Sequence, residues 1–352
     1  MQSTTLRYCK VSEIGIGFCL LMSFIFIHSS CTSQVKGDNT TAQIITEKTD
    51  YDTDDPAIWF NKKDSSKSII FGTDKNSDGA VYAFDLDGKI IKDKVLKGLA
   101  YPNNIDIEYA VATINDVLVD ILVVSERDKH QIRIFSVPDM KPIDNGGLKV
   151  FENETKKSFN LPMGIAIYKS PLDGTVYIII SRKNGPQYDY LYQYKLIALK
   201  GNFKIELVRK FGEFSQKKEI ESIAVDDELG FIYYSDETYG IRKYYAEPNL
   251  GNKEVGSFGH KIFKRDSEGI AIIPRDKGLG YIIVSNQQND TFSVFTRDTN
   301  QYIKDIDLGT KQSDGCEFSS LIGNKNFEKG LFVAMDNDKT FHFINLNLYQ
   351  LD

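Results

Sequence analysis

Glu221-Ser222-Ile223-Ala224-Val225 is followed, after a polar turn, by Phe231-Ile232-Tyr233-Tyr234-Ser235-Asp236-Glu237. The same unit returns as Glu268-Gly269-Ile270-Ala271-Ile272 and Tyr281-Ile282-Ile283-Val284-Ser285-Asn286-Gln287. Each copy places an acid before a short apolar strand. A turn leads to a strongly β-prone strand that ends in Ser and two polar residues, and a third strand follows. Aligning the rest of the chain gives first-strand anchors at Asp55, Asn104, Met163, Glu221, Glu268 and Asp314, spaced 46 to 59 residues apart. That period suits one four-stranded propeller blade. The expected fold is therefore all-β, a six-bladed β-propeller. A sandwich or an open β-repeat array would use similar strands but would not gather the anchors into a ring.

Composition agrees. The 352 residues include 22 Phe and 19 Tyr, and the net charge of −6 disfavours a duplex nucleic-acid partner. Apolar runs are short and broken by Gly, Asn and Asp, without helical periodicity. Of the 4 cysteines, Cys9, Cys19 and Cys31 precede the repeats and only Cys316 lies within them. No disulfide can then form inside the repeat region.

Residues 1–31 read as an export signal, with Arg7 and Lys10 ahead of an apolar stretch over 11–27. Ser29-Ser30-Cys31 makes Cys31 the candidate lipid-modified residue of a lipoprotein, anchored to an outer membrane or cell surface. His28 departs from the aliphatic residue such signals carry, so periplasmic release or secretion is the alternative. Residues 32–46 read as a polar tether and 47–352 as the propeller, with a monomer as the default.

In a propeller, equivalent positions of different blades form rings around the channel mouth. The first ring is the six anchors. The second takes the second residue after the Ser or Thr of the second strand: Lys75, Arg127, Lys183, Glu237, Gln287 and Asp336. Blades one to three contribute cations, and blades four to six contribute Glu, Gln and Asp. Clustered carboxylates ionise poorly without a cation among them. Oxygen donors without paired His or Cys suit Ca²⁺, in several ions. Lys and Arg facing them suit a small-molecule polyphosphate. The expected chemistry is metal-assisted phosphomonoester hydrolysis.

Asp52-Thr53-Asp54-Asp55-Pro56-Ala57-Ile58-Trp59 and Asn103-Asn104-Ile105-Asp106 together resemble the two signatures of the β-propeller phytases. The resemblance spans all six repeats, from about residue 50 to 338. It implies calcium-dependent hydrolysis of inositol hexakisphosphate, taken as calcium phytate, of the 3-phytase type, with a cleavage site and an adjacent affinity site. By local match, Lys75, Arg127 and Lys183 resemble the phosphate-binding cations. Asp54 and Asp55 resemble the acids beside the reactive water. Glu221, Glu237, Asp266, Glu268, Gln287 and Asp314 resemble calcium ligands, with Asp336 joining them by ring position. Asn104 and Asp106 resemble a structural calcium site.

Two departures stand out. Met163 replaces a Tyr that hydrogen-bonds phosphate, and Asn184, on the substrate side, replaces an acid. A calcium-dependent lactonase-like hydrolase and a non-catalytic binding propeller are the competing readings. The former needs no triplet of cations, and the latter would tolerate loss of the acids.

Overall fold

Ile69-Ile70-Phe71 and Ile178-Ile179-Ile180 are apolar at every position, so strands containing them must bury both faces. In the computed structural model they do. Phe71 packs with blade two while Ile70 faces blade six, and Ile178 faces blade two while Ile179 faces blade four. Residues 42–114, 117–199, 202–322, 326–327, 329–349 and 351 are described. The expected signal at 1–31, with Cys31, and residues 32–41 of the expected tether lie outside them. Among the described residues no helix is long and apolar enough to cross a membrane.

Six antiparallel sheets form the body. Their first strands are Thr53–Trp59, Pro102–Ile114, Pro162–Lys169, Ile223–Asp226, Ser267–Pro274 and Cys316–Ser319. Each touches the first strand of the next sheet, and the last touches the first, so the ring is closed. Residues from all six line one central channel. Six apolar clusters each join two neighbouring blades, one per interface around the circle. Fully burying a side chain such as Phe71 contributes about 1.5–3 kcal/mol.

Blade six is completed from the other end of the propeller. Ile44–Ile45 pairs with Phe343 and His342 as its outer strand. The tether expected to end at residue 46 therefore ends earlier, because these β-branched residues find an open sheet edge. Blade two also departs from four strands, adding the short strand Lys141–Pro142.

The first strands of blades one, two, three and five each break register near their start. The shifts fall between Thr53 and Pro56, Pro102 and Ile105, Pro162 and Ile165, and Ser267 and Ile270. A bulge re-aims the side chains it contains. Here it falls on the anchors.

Candidate active site at the channel mouth

Main-chain bonds tie neighbouring anchors together. The Gly269 N–H donates to the Asp314 carbonyl at 2.5 Å, and the Gly315 N–H to the Asp54 carbonyl at 3.0 Å. A Cβ at either glycine would strike the adjoining backbone, so close approach requires glycine at both.

Lys75 extends into the acids so gathered. Its Nζ lies 3.1 Å from Asp54 Oδ1, 3.0 Å from Asp314 Oδ2 and 3.9 Å from Asp52 Oδ2. Burial opposes its charge, yet Asp54, Asp314 and Glu221 outweigh it and raise the ammonium above its ordinary pKa. Asn103 Nδ2 donates to Asp54 Oδ2 at 3.2 Å and to Glu221 Oε1 at 3.3 Å. Blades one, two, four and six thus meet in one polar group.

A second group adjoins it. Glu237, Asp266 and Glu268 bring carboxylate oxygens within 4.8 Å of one another, as do Glu219, Glu221 and Glu237. Glu237 is fully buried, and neither of its oxygens accepts a well-aligned hydrogen bond. Its Oε2 lies 2.6 Å from the Lys218 ammonium, which stands equally close to Asp266 Oδ2. Burial, reinforced by neighbouring carboxylates, pushes Glu221 up to about 8, Glu237 to about 9 and Asp314 to about 6. Glu268 lies well above the carboxylate range for the same reasons.

Gln287 Nε2 donates to Asp314 Oδ1, and Gln288 Nε2 donates to Gln287 Oε1 at 2.5 Å and Asp266 Oδ2 at 2.6 Å. Arg127 and Gln287 each open a 3-10 turn, Arg127–Lys129 and Gln287–Asn289, directly after the second strand. The second-ring position therefore starts a mouth loop.

On the cationic side of the mouth, the Arg127 guanidinium stacks 4.4 Å from the Tyr101 ring centroid, and its Nη2 contacts Met163 Sδ at 2.5 Å. Met163 is fully buried, and its carbonyl accepts from Ser125 Oγ. Lys183 pairs with Glu219 at 2.5 Å. Asn184 caps its own loop through the Gly185 N–H at 2.8 Å. The cationic and acidic halves touch at two borders, Lys75–Asp314 and Lys183–Glu219, instead of standing apart.

Four expected ligands, Asp55, Asn104, Asp106 and Asp336, lie elsewhere. Asp55 turns down the channel, where its Oδ2 accepts from the Ile105 N–H at 3.1 Å and its carboxyl bonds the Asn104 side chain. Asp106 is deeper still. Its oxygens accept from the N–H groups of Ile107 and Ile167, both at 2.6 Å, and burial raises it to about 7. Asn104 and Asp106, expected at a separate structural site, lie apart from the mouth acids, Asn104 bonded to Asp55 and Asp106 to main-chain donors. Asp336 belongs to a separate cluster with Asp338 and His342 and accepts from the Lys311 N–H at 2.9 Å. Its backbone carbonyl also accepts from Thr53 Oγ1, which fixes it on the blade-six side.

Sequence reasoning missed Asn103, Glu219, Lys218, Gln288 and Tyr101. The doubled Asn103-Asn104 was the available signal for the first, since a bulge presents adjacent residues to one rim. The mouth groups offer only hard oxygen donors, and Glu237 Oε1 and Asn103 Oδ1 are buried there without a hydrogen-bond donor. That donor set fits Ca²⁺ and does not fit a soft-ligand metal.

A family model described as Phytase matches residues 15–348. The chain belongs to the phytase family. As a phytase-family member it is a hydrolase, and its buried acids fit the metal dependence expected there. It is 29% identical over 300 residues to the 3-phytase of Bacillus subtilis (strain 168), covering 81% of this chain and 74% of that protein. The WD40 β-propeller domain of Doa1 matches with a TM-score of 0.50 at 9% identity, over 82% of this chain and 77% of that one. The second likeness concerns the fold alone.

Proposed function

We propose that this phytase-family chain hydrolyses phosphomonoesters of myo-inositol hexakisphosphate in a calcium-dependent reaction. Water attacks phosphorus, the ester P–O bond breaks, and inorganic phosphate and a lower inositol phosphate leave. The observation that carries this reading is the meeting of Lys75, Asp54, Asp314 and Glu221 at one point of the mouth.

Lys75, Arg127 and Lys183 bind and orient phosphate oxygens. Tyr101 holds the Arg127 plane by stacking, which compensates for the thioether at Met163. Asp54, fixed by Lys75 and Asn103, orients the attacking water. Glu221, Glu237, Asp266, Glu268 and Asp314, with Gln287, would hold calcium at the mouth. When bound, calcium neutralises these carboxylates and activates water. The protein is read as an exported monomer, a lipoprotein if Cys31 is modified.

Phosphate release from phytate, measured beside lactone hydrolysis, tests the proposal. Release of phosphate alone, lost in Asp54→Asn and Glu268→Gln variants that still fold, is the expected result. Equal release by the variants, or turnover of the lactone only, overturns it.

A further inference from the structure

Lys218 occupies two oxygens of an acid group that could hold a metal ion. Its Nζ is 2.6 Å from Glu237 Oε2 and 2.6 Å from Asp266 Oδ2. Calcium binds oxygen at about 2.3–2.6 Å, so the ammonium and an ion cannot share these two atoms. The cluster is more than a patch of surface acid. Glu237 is fully buried with both oxygens lacking a well-aligned donor, and Asp266 and Glu268 are buried beside it. Such a group calls for a cation in either state.

Lys218 has somewhere else to go. Its side chain is 42% exposed and also lines a cavity of about 750 Å³ formed by the loops of blade three and the segment leading into blade four. Lys156 and Lys183 line the same cavity, and none of its lining residues carries a carboxylate. Lys183 in turn is held by Glu219, whose carboxylate belongs to the adjoining acid group.

We propose that Lys218 is a switching cation: it neutralises Glu237 and Asp266 until a divalent ion takes them, and then turns to that cavity to bind phosphate. This rests on reading the acid group as a calcium site. Calcium binding would thereby create a polyanion subsite of Lys156, Lys183 and Lys218 while filling its own. The order of binding follows, with the ion before the polyphosphate.

The test uses calcium alone on the full chain, by calorimetry at pH 8, with wild type and Lys218→Met. Loss of the internal competitor should tighten calcium binding at least tenfold. In parallel, amine acetylation of wild type is read by mass spectrometry, and Lys218 reactivity should rise several-fold on adding calcium. With calcium saturating, Lys218→Met should bind inositol hexasulfate at least threefold more weakly. Unchanged calcium affinity, or Lys218 reactivity indifferent to calcium, overturns the switch. Unchanged hexasulfate affinity overturns its phosphate-binding half. If the variant fails to fold, the wild-type labelling decides. If wild type binds no calcium at all, the calcium reading fails along with the switch. Calcium binding with equal affinity in both proteins removes the switch only.

Discussion

Lys75 places its ammonium 3.0 Å from Oδ2 of Asp314, across a sequence separation of 239 residues. One residue directly follows blade one's second strand, and the other precedes blade six's first. The contact exists because the propeller closes. It also puts the cation proposed to bind phosphate beside carboxylates that a metal would neutralise.

Lys75→Met should remove that cation and leave Asp54 buried without it. Removing one donor from a transition-state site costs about 10²–10³ in rate. Breaking a buried pair costs about 3 kcal/mol. Turnover should fall by that factor, and the melting temperature in chelator should drop more than the melting temperature in calcium. Steady-state kinetics and thermal melts check both.

Tyr101→Ala should free the Arg127 guanidinium from its stacking surface. Cation–π contacts at partly exposed sites are worth about 0.5–1 kcal/mol. The expected effect is a KM about two- to fivefold higher with a smaller change in kcat. A fall in kcat at constant KM would place Tyr101 in the chemical step instead.

The stability of the calcium-free protein should decline as pH rises. Burial pushes Glu221 up to about 8 and Glu237 to about 9, both above the ordinary carboxylate value. Between about pH 4.5 and those values the folded state holds protons that the unfolded chain has released, so each step up in pH favours unfolding. Calcium competes with the same protons. Its stabilising shift should therefore be larger at pH 8.5 than at pH 5.5, as melting curves at both values will record.

Deleting residues 1–46 should destabilise the propeller more than deleting 1–41. The longer deletion removes the Ile44–Ile45 strand and the bonds from Gln43 N–H to the Phe343 carbonyl and Thr46 N–H to the Phe341 carbonyl. At about 1 kcal/mol each, such bonds amount to about 2–4 kcal/mol. Denaturant midpoints of the two truncations measure the difference.

The blade count was legible because every second strand must bury both faces, leaving runs such as Phe231-Ile232-Tyr233-Tyr234 that no half-exposed strand carries. Ring positions in the second ring were legible where a 3-10 turn follows the strand, as at Arg127 and Gln287. The anchors were harder. A bulge turns Asn103 to Asp54 while Asn104 faces Asp55, so counting by blade period selected one neighbour and lost the other. Asp106 follows the strand down the channel, where burial is legible only from the closed ring. Glu219 and Lys218 precede blade four's first strand outside any repeated position. Their charges look like ordinary solvated residues until the loop folds over the mouth.

The most direct test is a calcium titration of phosphate release from phytate by the purified protein, begun in excess chelator. Release should be absent in chelator and return as free calcium rises, with Asp314→Asn needing more calcium or failing to recover. Undiminished release in chelator, or none at any calcium concentration, would contradict the account of a calcium-dependent site at the channel mouth.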